Sequence, residues 1–204
     1  MISRRMVLAA VTIAAIAPGW SAGAAADDSP ATTISTYYDT LLATMKEGKA
    51  LGFKGRYDKL APAVRRAYDL PQMTRIAVGP AWTNLPAEQQ QQLVDAFSAF
   101  SIATYANQFD DYSGERFEVD HKPTPANNGD MIVDTKLVPK DGDAVTLNYL
   151  MRKGENGWQI VDVYLSGTIS QLASRRAEFS AVMRRSGAAG LIDVLRKKAA
   201  QLAG

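Results

Sequence analysis

Residues 114–165 read GERFEVDHKPTPANNGDMIVDTKLVPKDGDAVTLNYLMRKGENGWQIVDVYL. Apolar and polar residues alternate along this segment. Met131, Val133 and Leu137 alternate with Asp134 and Lys136, and Val145, Leu147, Tyr149 and Met151 with Thr146, Asn148 and Arg152. A period of two marks strands with one buried and one wet face. Asn127-Asn128-Gly129, Asp141-Gly142-Asp143 and Gly154-Glu155-Asn156-Gly157 supply residues that tolerate tight turns. The pattern predicts four strands at about 116–121, 130–138, 143–153 and 158–165, with Pro123 and Pro125 ending the first. These strands form an antiparallel meander with one greasy face. That face needs a cover, which either packs flat against it or leaves a cavity.

Helical patterns lie on both sides of the meander. Ile34, Tyr37, Tyr38, Leu41, Leu42 and Met45 share one face of a helix over 34–46, which Gly48 ends. A second helix is expected over about 54–67 with Tyr57, Leu60 and Val64 inward, and Pro62 either kinks it or delays its start. A short helix over 71–78 stops at Gly79-Pro80. The longest is expected over 86–110, with Pro86 in its first position. At ~1.5 Å per residue it would be roughly 38 Å long, enough to cross the sheet. After Gly167, Ile169, Leu172, Phe179, Val182 and Met183 form another apolar face. Gly187 and Gly190 break that pattern before a final amphipathic helix over 191–202. Helices, then a meander, then helices make an α+β layout with helices segregated to one side of the sheet.

The chain has 204 residues, no cysteine and one histidine. The absence of cysteine excludes disulfides, thiolate metal sites and a cysteine nucleophile. Ser3-Arg4-Arg5, an uncharged run over 6–17, Pro18-Gly19 and the small residues of 22–26 are read as an export signal peptide cleaved near Ala26. The arginine pair suits a Sec or a twin-arginine signal. Removing Arg4 and Arg5 from the 23 basic residues leaves 21 against 21 acidic ones. A net charge near zero gives no reason to expect nucleic acid. The expected product is soluble and exported, with residues 1–26 as signal peptide and 27–204 as one domain. Within it, 27–112 are helical, 113–166 form the sheet and 167–204 the C-terminal helices.

Chemistry-bearing patterns are scarce. There is no Gly-x-Ser-x-Gly elbow, P-loop or dinucleotide fingerprint. His121 has no second histidine to share a metal and is read as an edge residue. Asp162 is a costly buried carboxylate if it points inward, but the alternation with Val161 and Val163 places it outside. The pairs Arg65-Arg66, Arg175-Arg176, Arg184-Arg185 and Lys197-Lys198 read as solvated helix faces, or as docking sites for membrane-bound partners or anionic headgroups.

Four stretches carry a resemblance: LGFKGRYDKLAPAVRRAYDLPQMTRIAVGPAW from Leu51, TYANQFDDYSGERFEV, WQIVDVYLSGTISQLASRRAEF and GLIDVLRKK. Together they resemble the toluene-tolerance or Mla-system family of periplasmic phospholipid-binding proteins. Gly55 to Tyr57 and Thr104 to Ala106 look most similar to its hopanoid-biosynthesis-associated paralogues. The resemblance implies a monomeric carrier with a curved four-stranded sheet and helices enclosing an apolar cavity. It would bind a phospholipid or hopanoid and shuttle it between an inner-membrane transporter complex and an outer-membrane lipoprotein or transporter, touching each membrane transiently. It implies no enzyme activity, cofactor or metal.

Alternation and helical spacing then select a lining. Phe97, Ile102 and Tyr105 come from the long helix, and Met131, Val133, Val145, Leu147, Tyr149, Met151, Val161 and Val163 from the strands. Two acyl chains would need at least the upper part of the ~300–1,000 Å³ range of ordinary pockets. Crowding the face with Leu147→Trp or Val133→Trp is expected to block loading in a folded protein. Two other readings remain open: an adaptor with a solid core and an exposed apolar patch, and an enzyme with an inward carboxylate or histidine near Tyr149 or Asp162.

Overall fold

The computed structural model describes residues 29–204, so the expected signal peptide lies outside the described residues. Helix α1, Pro30–Lys46, starts earlier than the apolar pattern alone predicts. Ser29 caps it by accepting from the Thr32 N–H at 3.1 Å, and Pro30 occupies a first-turn position where its missing N–H is harmless. Ile34, Tyr37, Tyr38, Leu41 and Met45 form its buried face. Helix α2, Gly48–Ala67, is broken at Gly52 and carries Pro62 on an exposed position. Gly48 thus opens α2, where the sequence predicted only the end of α1. Its backbone lies against the end of the fourth helix, and a Cβ there would sit 2.1 Å from the Asp110 carbonyl oxygen. Helix α3, Leu70–Val78, is capped by Asp69, which accepts from the Gln72 N–H at 3.0 Å.

Helix α4, Ala87–Gln108, follows Pro86, which sits just before the first turn and not in it. Leu93, Ala96, Phe97, Phe100, Ile102 and Ala106 are all buried in α4. The helix packs on α2, α3 and the last helix, and does not cross the sheet as its expected length suggested. Helix α5, Gln171–Leu202, is the longest of the described helices at 32 residues. Gly187 breaks it with φ of 63°, a conformation that costs a residue with a Cβ dearly.

The sheet has six strands where four were expected: β1 Arg116–Val119, β2 Thr124–Pro125, β3 Met131–Val138, β4 Val145–Gly154, β5 Gly157–Leu165 and β6 Ile169–Ser170. All pairings are antiparallel in the order β1-β3-β4-β5-β6, and β2 also pairs with β3. The extra two are two-residue strands. The prolines end β1, but the chain returns to the same edge of β3, where Pro125 needs no N–H for a further partner. After Ser166 and Gly167 turn the chain, Ile169 and Ser170 add the opposite short edge.

A bulge interrupts the β4–β5 pair. Leu150 pairs with Asp162, but Met151 pairs with Ile160, which leaves Val161 as the extra residue. Alternation along β5 changes phase there, so Ile160 is the residue opposite Met151 in the buried core. The β5 edge beyond β6 is covered by Tyr68, which bridges Ile160, and by the Asp69 N–H, which donates to the Ile160 carbonyl at 3.0 Å. Helices α1, α2, α3 and α5 contact the sheet, and α4 packs on α2, α3 and α5. Among the described residues no helix is long and apolar enough to cross a membrane.

Candidate functional site

A cavity of about 260 Å³ lies where the sheet, α3, α4 and the start of α5 meet. Leu147, Tyr149, Val163 and Leu165 form its sheet wall. Val64 from α2, Tyr68 just after it, Leu70 and Met73 from α3, Phe97, Phe100 and Tyr105 from α4, and Leu172 from α5 complete the apolar part. Gln108 and Gln171 are exposed where it meets solvent, so the cavity is a recess and not an enclosed chamber. It falls just below the ~300–1,000 Å³ of ordinary ligand pockets and well below the space expected for two acyl chains.

The expected lining residues divide into groups. Phe97, Tyr105, Leu147, Tyr149 and Val163 border the recess. Ile102, Val133 and Met151 are fully buried in close-packed core away from it. Met131 is half-buried at the start of β3, and Val145 at the start of β4 is 39% exposed. Val161 is buried in the bulge, outside the main core. For Met131, Val133, Val145 and Met151, alternation identifies a face but not how far the helices cover it, and Val161 is displaced by the bulge.

The sequence reading missed a tyrosine cluster at the inner end of the recess. The Tyr68 and Tyr105 hydroxyls are 2.5 Å apart. The Tyr38 hydroxyl lies 2.9 Å from that of Tyr149 and 2.8 Å from Thr135 Oγ1, and Thr135 donates to the Leu147 carbonyl at 2.8 Å. Tyr37, 2% exposed, packs edge-on against Tyr68 and Tyr105, and its hydroxyl has no hydrogen-bond partner among the described residues. Burial pushes Tyr38 up to about 12, against its hydrogen bonds with Thr135 and Tyr149. Burial, then the nearby tyrosines, raises Tyr37, Tyr68 and Tyr149 well above the usual value. Burial also raises Tyr105, opposed by its tyrosine partners and by the charge of Arg175. All five tyrosines are therefore neutral at ordinary pH. Their signal in the sequence was the Tyr37-Tyr38 pair on an otherwise apolar helix face.

Two stretches of the family resemblance meet in space. Arg56, from Gly55 to Tyr57, is buried and donates from Nε to the Ala106 carbonyl at 2.7 Å and from Nη1 to the Gly48 carbonyl at 2.8 Å. Its charge satisfies a carbonyl near the C-terminus of α4, one residue on from Tyr105 of the recess.

Asp162 is buried and hydrogen-bonded, contrary to the outward placement that the alternation gave. It is only 8% exposed, yet it does not border the recess. It accepts from the Ser170 hydroxyl at 2.6 Å, the Leu172 N–H at 3.1 Å and the Val163 N–H at 2.7 Å, and so anchors the start of α5. His121 is exposed in the loop between β1 and β2. Among the described residues no cluster of His, Cys, Asp or Glu could hold a metal ion.

At the outer rim Arg175 lies over the Phe100 ring, 4.9 Å from its centroid, with Nη1 3.3 Å from a Glu178 oxygen. Lys198 pairs with the other Glu178 oxygen and also lies near the Phe100 ring. Partial burial pushes the Glu178 carboxyl up, but Lys198 and Arg175 outweigh it and hold it below the usual carboxylate value.

A comparison with curated proteins finds no match. Among solved structures, a phospholipid-binding protein from Ralstonia solanacearum, determined in complex with a phospholipid, superposes with a TM-score of 0.74 at 27% identity. The match covers 86% of this chain and 99% of that one. Residues 35–197 match the family model described as MlaC protein, and the chain belongs to the MlaC protein family.

Proposed function

We propose that this protein is a periplasmic lipid carrier that holds the acyl part of a phospholipid in the recess between the sheet and α5. The observation that carries this reading is the recess itself: an apolar wall of sheet and helix residues that opens to solvent. Family membership and the phospholipid held by the Ralstonia protein support it. Burial of a CH₂ is worth ~0.8 kcal/mol against water, so roughly 15 such groups give on the order of 12 kcal/mol gross. The lipid comes from a bilayer that is equally apolar, so transfer is near balance. That balance suits a carrier that must release its cargo to a membrane complex at each end of its path.

At about 260 Å³ the recess is smaller than a whole phospholipid tail region needs, so loading requires its walls to part. Among the described residues the lining is apolar or neutral polar apart from Arg175. A hopanoid, a rigid polycycle, would need a wider and shorter space and is separated from a phospholipid by the cargo itself. The test is to express the protein with its N-terminal export segment, purify it without detergent, and compare native with denaturing mass spectra after lipid extraction. A stoichiometric phospholipid is the expected result. A clean apo mass with no uptake from vesicles would overturn the reading in favour of an adaptor without a ligand.

A further inference from the structure

We infer that Arg175 is a specificity-determining residue at the rim of the recess, where it recognises a phosphate on the head of the bound lipid and favours phospholipids over neutral lipids with the same tails. This rests on the carrier reading above and adds to it the residue that meets the head group.

Arg175 is the only residue with a formal charge among those that line the recess. A cation in an otherwise apolar and neutral polar wall has to be held, and it is held lightly. The Phe100 ring supports its face, and one 3.3 Å contact joins it to Glu178. A guanidinium has five N–H donors in a fixed fork, so most of its donors are uncommitted. That fork matches two oxygens of a phosphate in a way an ammonium does not.

The local charge count agrees. Arg175 and Lys198 share the single carboxylate of Glu178, which leaves one positive charge in excess. A phosphodiester supplies one negative charge. Glu178 can keep Lys198, its closer partner, while Arg175 turns to the phosphate. Gln108, Thr104 and Ser101 border the same recess and can bond to head-group oxygens. The competing anion site, the N-terminus of α5, is already taken: Asp162 accepts from the Leu172 N–H and Ser170 accepts from the Ala173 N–H. The side chain, not the helix end, is therefore the group that meets an anion here.

The test uses vesicles with equal amounts of phosphatidylglycerol and diacylglycerol of identical tails, and reads the lipid bound to the protein by native mass spectrometry. Wild type should load phosphatidylglycerol in preference. R175Q should lower that preference about tenfold, the worth of one charge-assisted hydrogen bond. R175K should fall between the two, and E178Q, which frees both cations, should raise the preference. If R175Q fails to fold, R175K and E178Q still decide the matter by moving the ratio in opposite directions. An equal ratio in wild type overturns the inference and leaves the carrier reading intact. An unchanged ratio in the folded variants does the same. Uptake of neither lipid overturns the carrier reading and this inference together. Inorganic phosphate is run as a separate arm. Uptake undisturbed by millimolar phosphate is expected, and abolition of uptake would mean that the site takes the free anion.

Discussion

Leu147 and Met151 lie on the same face of β4, and their surroundings differ completely. Met151 is fully buried beside Val133 and Ile160 in a closed core. Leu147 is half-buried and faces the recess. Tyr149 stands between them and borders both regions. One strand face therefore runs from solid packing to open space within five residues. Period-two patterning tells which side is apolar, but it carries no information about how far a cover extends.

The largest expected effect tests that contrast directly. Met151→Ala should cost ~2–5 kcal/mol, because a closed core cannot collapse around the lost atoms. Leu147→Ala should cost less than about 1 kcal/mol, since its side chain already lacks packing partners on the recess side. Urea or guanidinium denaturation of both variants measures the difference. Equal losses would mean that the recess is as closely packed as the core.

The next effect concerns the wall that α5 contributes. Asp162→Ala leaves the Ser170 hydroxyl and the Leu172 N–H without their carboxylate acceptor. The expected loss is ~1–3 kcal/mol. Faster amide exchange should be concentrated at the start of α5, which carries Gln171, Leu172 and Arg175 of the rim. Exchange spread evenly over the molecule would deny Asp162 this anchoring role.

The tyrosine cluster yields a pH test. A tyrosine whose folded pKa is raised keeps its proton longer in the folded chain than in the unfolded one. Below the unfolded value of ~10 both states are protonated and stability does not change. Above it the unfolded chain loses protons first, so stability falls as pH rises. Each such group contributes a slope of ~1.4 kcal/mol per pH unit. With Tyr37, Tyr38, Tyr68, Tyr105 and Tyr149 all shifted upward, alkaline unfolding should be steep and coincide with tyrosinate absorbance. Gradual ionisation of these tyrosines in a folded protein would contradict their burial.

Much of the fold was legible in residues 114–165, because strand alternation and Gly/Asn turns are local signals. The β4–β5 pairing, α3 and the break at Gly187 all follow such signals. What was not legible depended on contacts distant in sequence. The bulge at Val161 is set by the pairing of Met151 with Ile160, and no pattern within β5 announces it. Tyr37 and Tyr38 read as ordinary apolar positions in α1, since their partners come from Tyr68 just after α2 and from α4, β3 and β4. The site was half legible for the same reason. Leu147, Tyr149 and Val163 follow from alternation, whereas Arg175 read only as part of one of four basic pairs, solvated or docked to anionic headgroups, with nothing to tie it to the recess.

The smallest effect on stability should come with the largest effect on loading. Leu147→Trp and Val133→Trp look equivalent in the sequence, since both crowd the apolar sheet face. In the structure they are not equivalent. Val133 is fully buried in close-packed core, so a tryptophan there forces its neighbours apart and should cost ~1–3 kcal/mol or more. Leu147 has the recess of about 260 Å³ in front of it, and a tryptophan can project into that space at little cost. Leu147→Trp should therefore keep its denaturation midpoint within about 0.5 kcal/mol of wild type. It should nevertheless lose most of its co-purified lipid, because the added ring occupies the space a chain would take. A folded Leu147→Trp protein that carries as much lipid as wild type would put the cargo elsewhere on the molecule, whatever its stability.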